Sequence, residues 1–124
     1  MNIVWVFLGS GLGGAFRYLL SNAAYWLLGR NFPWGTLLVN ASGSLLMGVM
    51  FALLLSRYVA YAPQLRLFLL VGFLGGYTTF SSFSIETWSL LESGAWVSGI
   101  MNVLLHIVLC LGLTWLGILW GRQL

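Results

Sequence analysis

The stretch Gly72-Phe73-Leu74-Gly75-Gly76-Tyr77-Thr78-Thr79-Phe80-Ser81-Ser82-Phe83-Ser84 decides how this chain folds. It lies in an apolar run long enough to cross a bilayer, yet it sets adjacent glycines before a cluster of hydroxyl residues near mid-span. The pattern predicts an interrupted helix, because non-helical backbone at membrane depth survives only where protein buries it or where it lines a cavity. Two half-helix ends would then meet inside the membrane, amides facing anions and carbonyls facing cations. The alternative is a glycine kink whose hydroxyls bond back to their own helix. Past the break, Phe80 and Phe83 share one helix face, Thr79 and Ser82 another, and Ser81 and Ser84 a third. Ring edges are electron-poor and hydroxyls are donors, so such a helix can replace part of an anion's hydration shell.

Composition sets the solvent for that reading. Of 124 residues, 60% are hydrophobic and only 6% are charged, with a mean hydropathy of +0.98. Soluble chains carry about 25% charged residues, so this one cannot cover a water-facing surface, and its main solvent is lipid. A soluble catalytic domain is excluded, and the sequence holds no Ser/His/Asp arrangement, carboxylate pair or phosphate-binding glycine loop. The net charge of +3 comes from scattered Arg17, Arg30, Arg57, Arg66 and Arg122 against Glu86 and Glu92. Without a basic face, nucleic acid is not an expected partner. The single Cys110 excludes an internal disulfide. The amino terminus lacks a basic n-region, so the first apolar segment is expected to be a retained span.

Polar and proline breaks at Arg30-Asn31-Phe32-Pro33, between Arg57 and Arg66 with Pro63, and at Glu92-Ser93-Gly94 leave four apolar segments. These run over about 3–29, 35–56, 67–91 and 96–120. The expected fold is an all-α integral membrane protein, one membrane domain over 1–124 with four transmembrane helices and a break in the third. Tyr25, Trp26, Trp34, Tyr58, Tyr61, Trp96 and Trp120 fall near the segment ends, where amphipathic rings favour the headgroup zone. Loop arginines give only a slight asymmetry, which permits an N-in orientation or insertion both ways up. Four helices offer little interior for polar groups, so a dimer is expected. Gly9-Ser10-Gly11-Leu12-Gly13, Gly72 with Gly76, and Gly117 with Gly121 have the small-xxx-small spacing of close helix contact.

Other polar residues sit where lipid should be. Asn40 falls early in the second span and either bridges helices or donates its amide hydrogens to a passing anion. Arg17 in the first span is costly if unpaired, and its bland reading is a snorkelled side chain paired with a carbonyl or with Glu86. Asn102, His106 and Cys110 recur every four residues, a stripe expected to form a polar track beside a pore. One histidine and one cysteine are too few for a metal site.

These residues together resemble the CrcB/Fluc fluoride channel family. The likeness rests on Gly13-Gly14-Ala15-Phe16-Arg17-Tyr18, on Gly35-Thr36-Leu37-Leu38-Val39-Asn40, and above all on Gly75 to Ser84. It implies a passive, fluoride-selective channel in the cell inner membrane that exports the ion and protects against its toxicity. It also implies a dual-topology antiparallel homodimer with two pores. By position, Phe80 and Phe83 would turn ring edges to fluoride, and Asn40 would be a pore-lining amide. Thr79, Ser81, Ser82 and Ser84 would form the hydroxyl-rich stretch, and Asn102, His106 and Cys110 the ladder of the fourth span. Arg17 and Glu86 would serve a vestibule or the structure. A structural, non-transported Na+ is implied at the dimer centre, held by the backbone carbonyls of Gly75 and Thr78. Ser82 stands where threonine is usual, and Cys110 is a poorer donor than the small polar residues of that ladder.

Two other readings compete. A proton-coupled exporter of the small multidrug resistance type is also a short four-span dimer, but it needs an intramembrane carboxylate, and here Glu86 comes late in the third segment. A helix-packing scaffold would use the polar residues only to join helices.

Overall fold

The computed structural model describes residues 1–56 and 62–124. Arg57, Tyr58 and Tyr61 lie outside the described residues. The described chain is helical throughout, and four stretches are long and apolar enough to cross a membrane: Asn2–Leu28, Trp34–Leu54, Pro63–Glu92 and Trp96–Gln123.

Local chemistry sets the ends. Helix α1 (Asn2–Leu28) stops at Gly29, whose φ of 85° suits a residue without a Cβ and whose N–H returns to the Tyr25 carbonyl at 2.9 Å. Pro33 then precedes α2 (Trp34–Ser56), with its carbonyl accepting from the Leu37 N–H at 3.1 Å. The third span begins with α3 (Ala62–Arg66), widens to a π-helix over Leu67–Leu74 and ends its first half with α4 (Gly75–Tyr77). Thr78 and Thr79 are extended, and α5 (Phe80–Glu92) restarts the helix. The expected interruption therefore falls just after the paired glycines. The fourth span comprises α6 (Trp96–Leu105), a π-helical turn over His106–Cys110, and α7 (Leu111–Gln123).

Glycine lets the backbones approach. A Cβ at Gly9 would lie 2.8 Å from the Phe73 nitrogen and 3.0 Å from the Gly72 Cα, so α1 rests directly on the π-helical half of the third span. A Cβ at Gly121 would lie 2.7 Å from the Val49 carbonyl oxygen, and one at Gly48 would strike the Thr114 carbonyl. In this way α2 and α7 pack backbone to backbone, gaining dispersion contact where lipid supplies no hydrophobic drive. Gly11, from the same expected packing run, and its neighbour Gly14 meet nothing within 4 Å. Val39, Leu74 and Tyr77 form the buried centre between these pairs, and the Tyr77 hydroxyl is hydrogen-bonded to Ser42 Oγ at 2.8 Å.

Candidate functional site

The break is held by side chains from the second and fourth spans. In an unbroken helix the Thr79 N–H would return to the Gly75 carbonyl; here it donates to Asn40 Oδ1 at 2.8 Å. Asn40 Nδ2 in turn donates to the Thr79 carbonyl at 3.0 Å, so one carboxamide satisfies both backbone groups of an extended residue. Asn40 Nδ2 also lies 3.2 Å from His106 Nε2, and His106 Nδ1 lies 3.0 Å from the Asn102 carbonyl. Asn40, Thr79 and His106 are all buried. Asn40 thus bridges the second span to the third and fourth, one of the two roles open to it, with Nδ2 within reach of both the Thr79 carbonyl and His106 Nε2.

Thr79 also starts α5. Its Oγ1 accepts from the Ser82 N–H at 3.2 Å, an N-cap, and donates to Ser82 Oγ at 3.1 Å. Ser81 Oγ lies 3.3 Å from the same hydroxyl. Because the Ser82 amide is taken by the cap, the Thr78 carbonyl loses its regular partner, just as the Gly75 carbonyl loses Thr79. The Gly75 and Thr78 carbonyls are thus among the backbone oxygens released from the helix ladder at the break. Hydroxyls do bond back to their own helices elsewhere, at Thr78 to Leu74 and at Thr87 to Phe83. At Thr79 the interruption is complete.

A cleft of about 440 Å³ opens beside the break. Asn40, Thr78, Thr79, Phe80, Phe83, His106 and Cys110 all line it, together with Gly43, Ser44, Met47 and Thr114. The Phe80 and Phe83 rings stand 5.4 Å apart, and Phe83 is 4.4 Å from the His106 ring. Phe80 is 77% exposed. Ser81, Ser82 and Ser84 do not line the cleft; Ser81 and Ser84 are exposed on other sides of α5.

The fourth-span stripe is only partly realised. Four-residue steps advance about 40° around an α-helix, so residues so spaced drift off one face. Asn102 is 0% exposed and points instead toward α5, donating to Thr87 Oγ1 at 2.9 Å, while its Oδ1 is buried without a partner. The π-helical turn over His106–Cys110 adds a residue to the turn, and His106, Cys110 and Thr114 all reach the cleft. Thr114 and Ser44, which the sequence reading passed over, belong to this wall, with Thr114 Oγ1 donating to the Ser44 carbonyl at 3.2 Å. Their four-residue relation to Cys110 and Asn40 was the available signal.

Arg17 and Glu86 do not pair. Glu86 Oε1 accepts from Thr36 Oγ1 at 2.8 Å and from the Tyr25 hydroxyl at 3.5 Å, while Oε2 is buried without a partner. The two hydroxyls sit closer to Glu86 in this packing than the guanidinium, which stays on the half-buried side of α1. Glu86 and Arg30 line a second cavity, of about 440 Å³, at the turn between the first two spans.

The family described as CrcB-like protein, Camphor Resistance (CrcB), matches residues 4–118. A protein named fluoride-specific ion channel FluC from Coxiella burnetii is 54% identical over 124 residues, covering 100% of both chains. Proteins of the same name are 48% identical over 122 residues in Magnetococcus marinus, 98% of each chain, and 50% identical over 113 residues in Geobacter sulfurreducens, 91% of this chain and 90% of that one. Ion channels are not enzymes.

Proposed function

The chain belongs to the CrcB-like family, and on that premise we propose that it is a passive, fluoride-selective channel that exports the ion across the cell inner membrane. The observation that carries this reading is full-length similarity, at 54% identity over 100% of both chains, to a protein named a fluoride-specific ion channel. The proton-coupled exporter gains no support from relatives of that name.

Fluoride is small and strongly hydrated, so conduction requires successive contacts that replace water yet release the ion. Phe80 and Phe83 supply ring edges along the cleft. Thr79 turns its hydroxyl hydrogen to Ser82 Oγ beside them, and Ser81 and Ser84 keep exposed hydroxyls on α5. Asn40 borders the path with its amide engaged, and Cys110 and Thr114 continue the wall along the fourth span. Arg17 and Glu86 serve the structure or an approach to the path.

The working unit is a homodimer, its copies inserted in opposite orientations. The support is physical: Gly75, Phe80 and Ser81 are exposed at the break, and interrupted backbone cannot face lipid at that depth. A second copy covers it with the same surface.

The resemblance also implies a structural Na+. The donors fit such an ion: the Gly75 and Thr78 carbonyls are released from the helix ladder because Thr79 and Ser82 donate elsewhere, and hard cations take oxygen ligands. These carbonyls would hold the ion at the dimer centre, where it supplies fixed positive charge and ties the broken backbones together without being transported. The test of function is fluoride efflux from liposomes containing the purified protein, read with a fluoride electrode. Rapid fluoride release without matching chloride release is expected; no release from a verified dimer in sodium would overturn the reading.

A further inference from the structure

The contacts around Asn40 settle where the proton of His106 sits. The Thr79 N–H can only donate and the Thr79 carbonyl can only accept, which fixes the carboxamide with Oδ1 toward the first and Nδ2 toward the second. Nδ2 carries two hydrogens; one goes to Thr79, and the other points at His106 Nε2, 3.2 Å away. An Nε2 that carried its own proton would set donor against donor. The lone pair must therefore face Asn40. At the other edge of the ring the Asn102 carbonyl lies 3.0 Å from Nδ1, and a carbonyl can only accept. Both requirements are met by one species, a neutral imidazole with its proton on Nδ1.

This alters what the histidine does in the wall of the cleft. Its nitrogens are occupied, one by Asn40 and the other by the Asn102 carbonyl, and its ring packs against Phe83 at 4.4 Å with the two planes tilted by 47°. We propose that His106 is a positioning residue, held as the neutral Nδ1–H tautomer, whose Nε2 lone pair fixes the Asn40 carboxamide that braces the break, and that neither ring nitrogen offers a proton to the permeating ion. Asn40 is the bracket and His106 its stop. The proposal deepens the channel reading and rests on it for the flux arm of its test alone.

The chain holds a single histidine, so the purified dimer labelled with 15N-histidine gives one pair of ring-nitrogen resonances. A protonated Nδ1 and a bare Nε2 are expected, with the Nε2 resonance moving in Asn40→Ala as its hydrogen bond is lost. A proton on Nε2 in the unsubstituted protein would overturn the proposal, as would an Nε2 resonance unmoved by Asn40→Ala. Should that variant not assemble, His106→Gln and His106→Met decide the matter. Glutamine can place a strong acceptor near the Nε2 position and methionine only a weak thioether one, so fluoride flux should be about tenfold higher in the glutamine variant, the size of effect expected for one buried hydrogen bond. Equal flux in the two would overturn the positioning role. An unsubstituted protein that carries no fluoride would remove the function while the spectrum still judges the bracket.

Discussion

Replacing Thr79 with valine keeps its branching and volume but removes the hydroxyl that caps α5 and bonds Ser82. An N-cap is worth about 1 kcal/mol. Thr79→Val should therefore lower the unfolding free energy by about that amount in detergent, and urea or thermal titration against the unsubstituted protein measures it. The extended backbone should persist, because Asn40 holds the Thr79 N–H and carbonyl, which valine retains. At the cleft, Phe80→Ile and Phe83→Ile remove electron-poor ring edges while keeping apolar bulk. Each should cut fluoride flux by roughly 100-fold, equivalent to about 2.7 kcal/mol of barrier, with the dimer still eluting as a single species. Normal flux in both would remove the ring-edge role.

At the scale of helices, packing depends on particular glycines. Gly48 and Gly112 differ only in surroundings: a Cβ at Gly48 would strike the Thr114 carbonyl across the α2–α7 contact, whereas at Gly112 it meets nothing within 4 Å. Gly48→Ala should destabilise the protein by about 1–3 kcal/mol, as overpacking against backbone does. Gly112→Ala should be neutral or slightly stabilising, since alanine favours the helix. Thermal denaturation of the two variants side by side tests the contact, and equal midpoints would count against it. The spacing of Gly117 and Gly121 announced a close contact, but not that Gly48 would be its counterpart. Likewise, a four-residue polar stripe was readable in the fourth span, and the π-helical turn was not. That turn depends on how α6 and α7 seat against different neighbours, so Asn102 goes to Thr87 and His106 goes to Asn40.

For the whole molecule, released carbonyls and exposed interrupted backbone make a partner copy and a central cation parts of one proposal. Replacing Na+ throughout by a larger organic cation should reduce fluoride flux, with restoration on adding sodium back. Unchanged flux in a preparation shown to be free of sodium would argue against the central ion. What the sequence alone determined is the solvent, the four helices and the interruption, because hydropathy, proline and paired glycines act locally on the chain. It also brought Asn40, Thr79, Phe80, Phe83, His106 and Cys110 into candidacy through residue type at membrane depth. Only the tertiary structure decided which groups each polar atom meets: Asn40 closes the break 39 residues away, and Glu86 turns to Thr36 and Tyr25 instead of Arg17. The physical reason is that a polar side chain with no water to turn to must find its partner inside the protein, here often on another helix, and which donor reaches which acceptor follows from helix rotation and backbone approach, quantities that no local pattern contains.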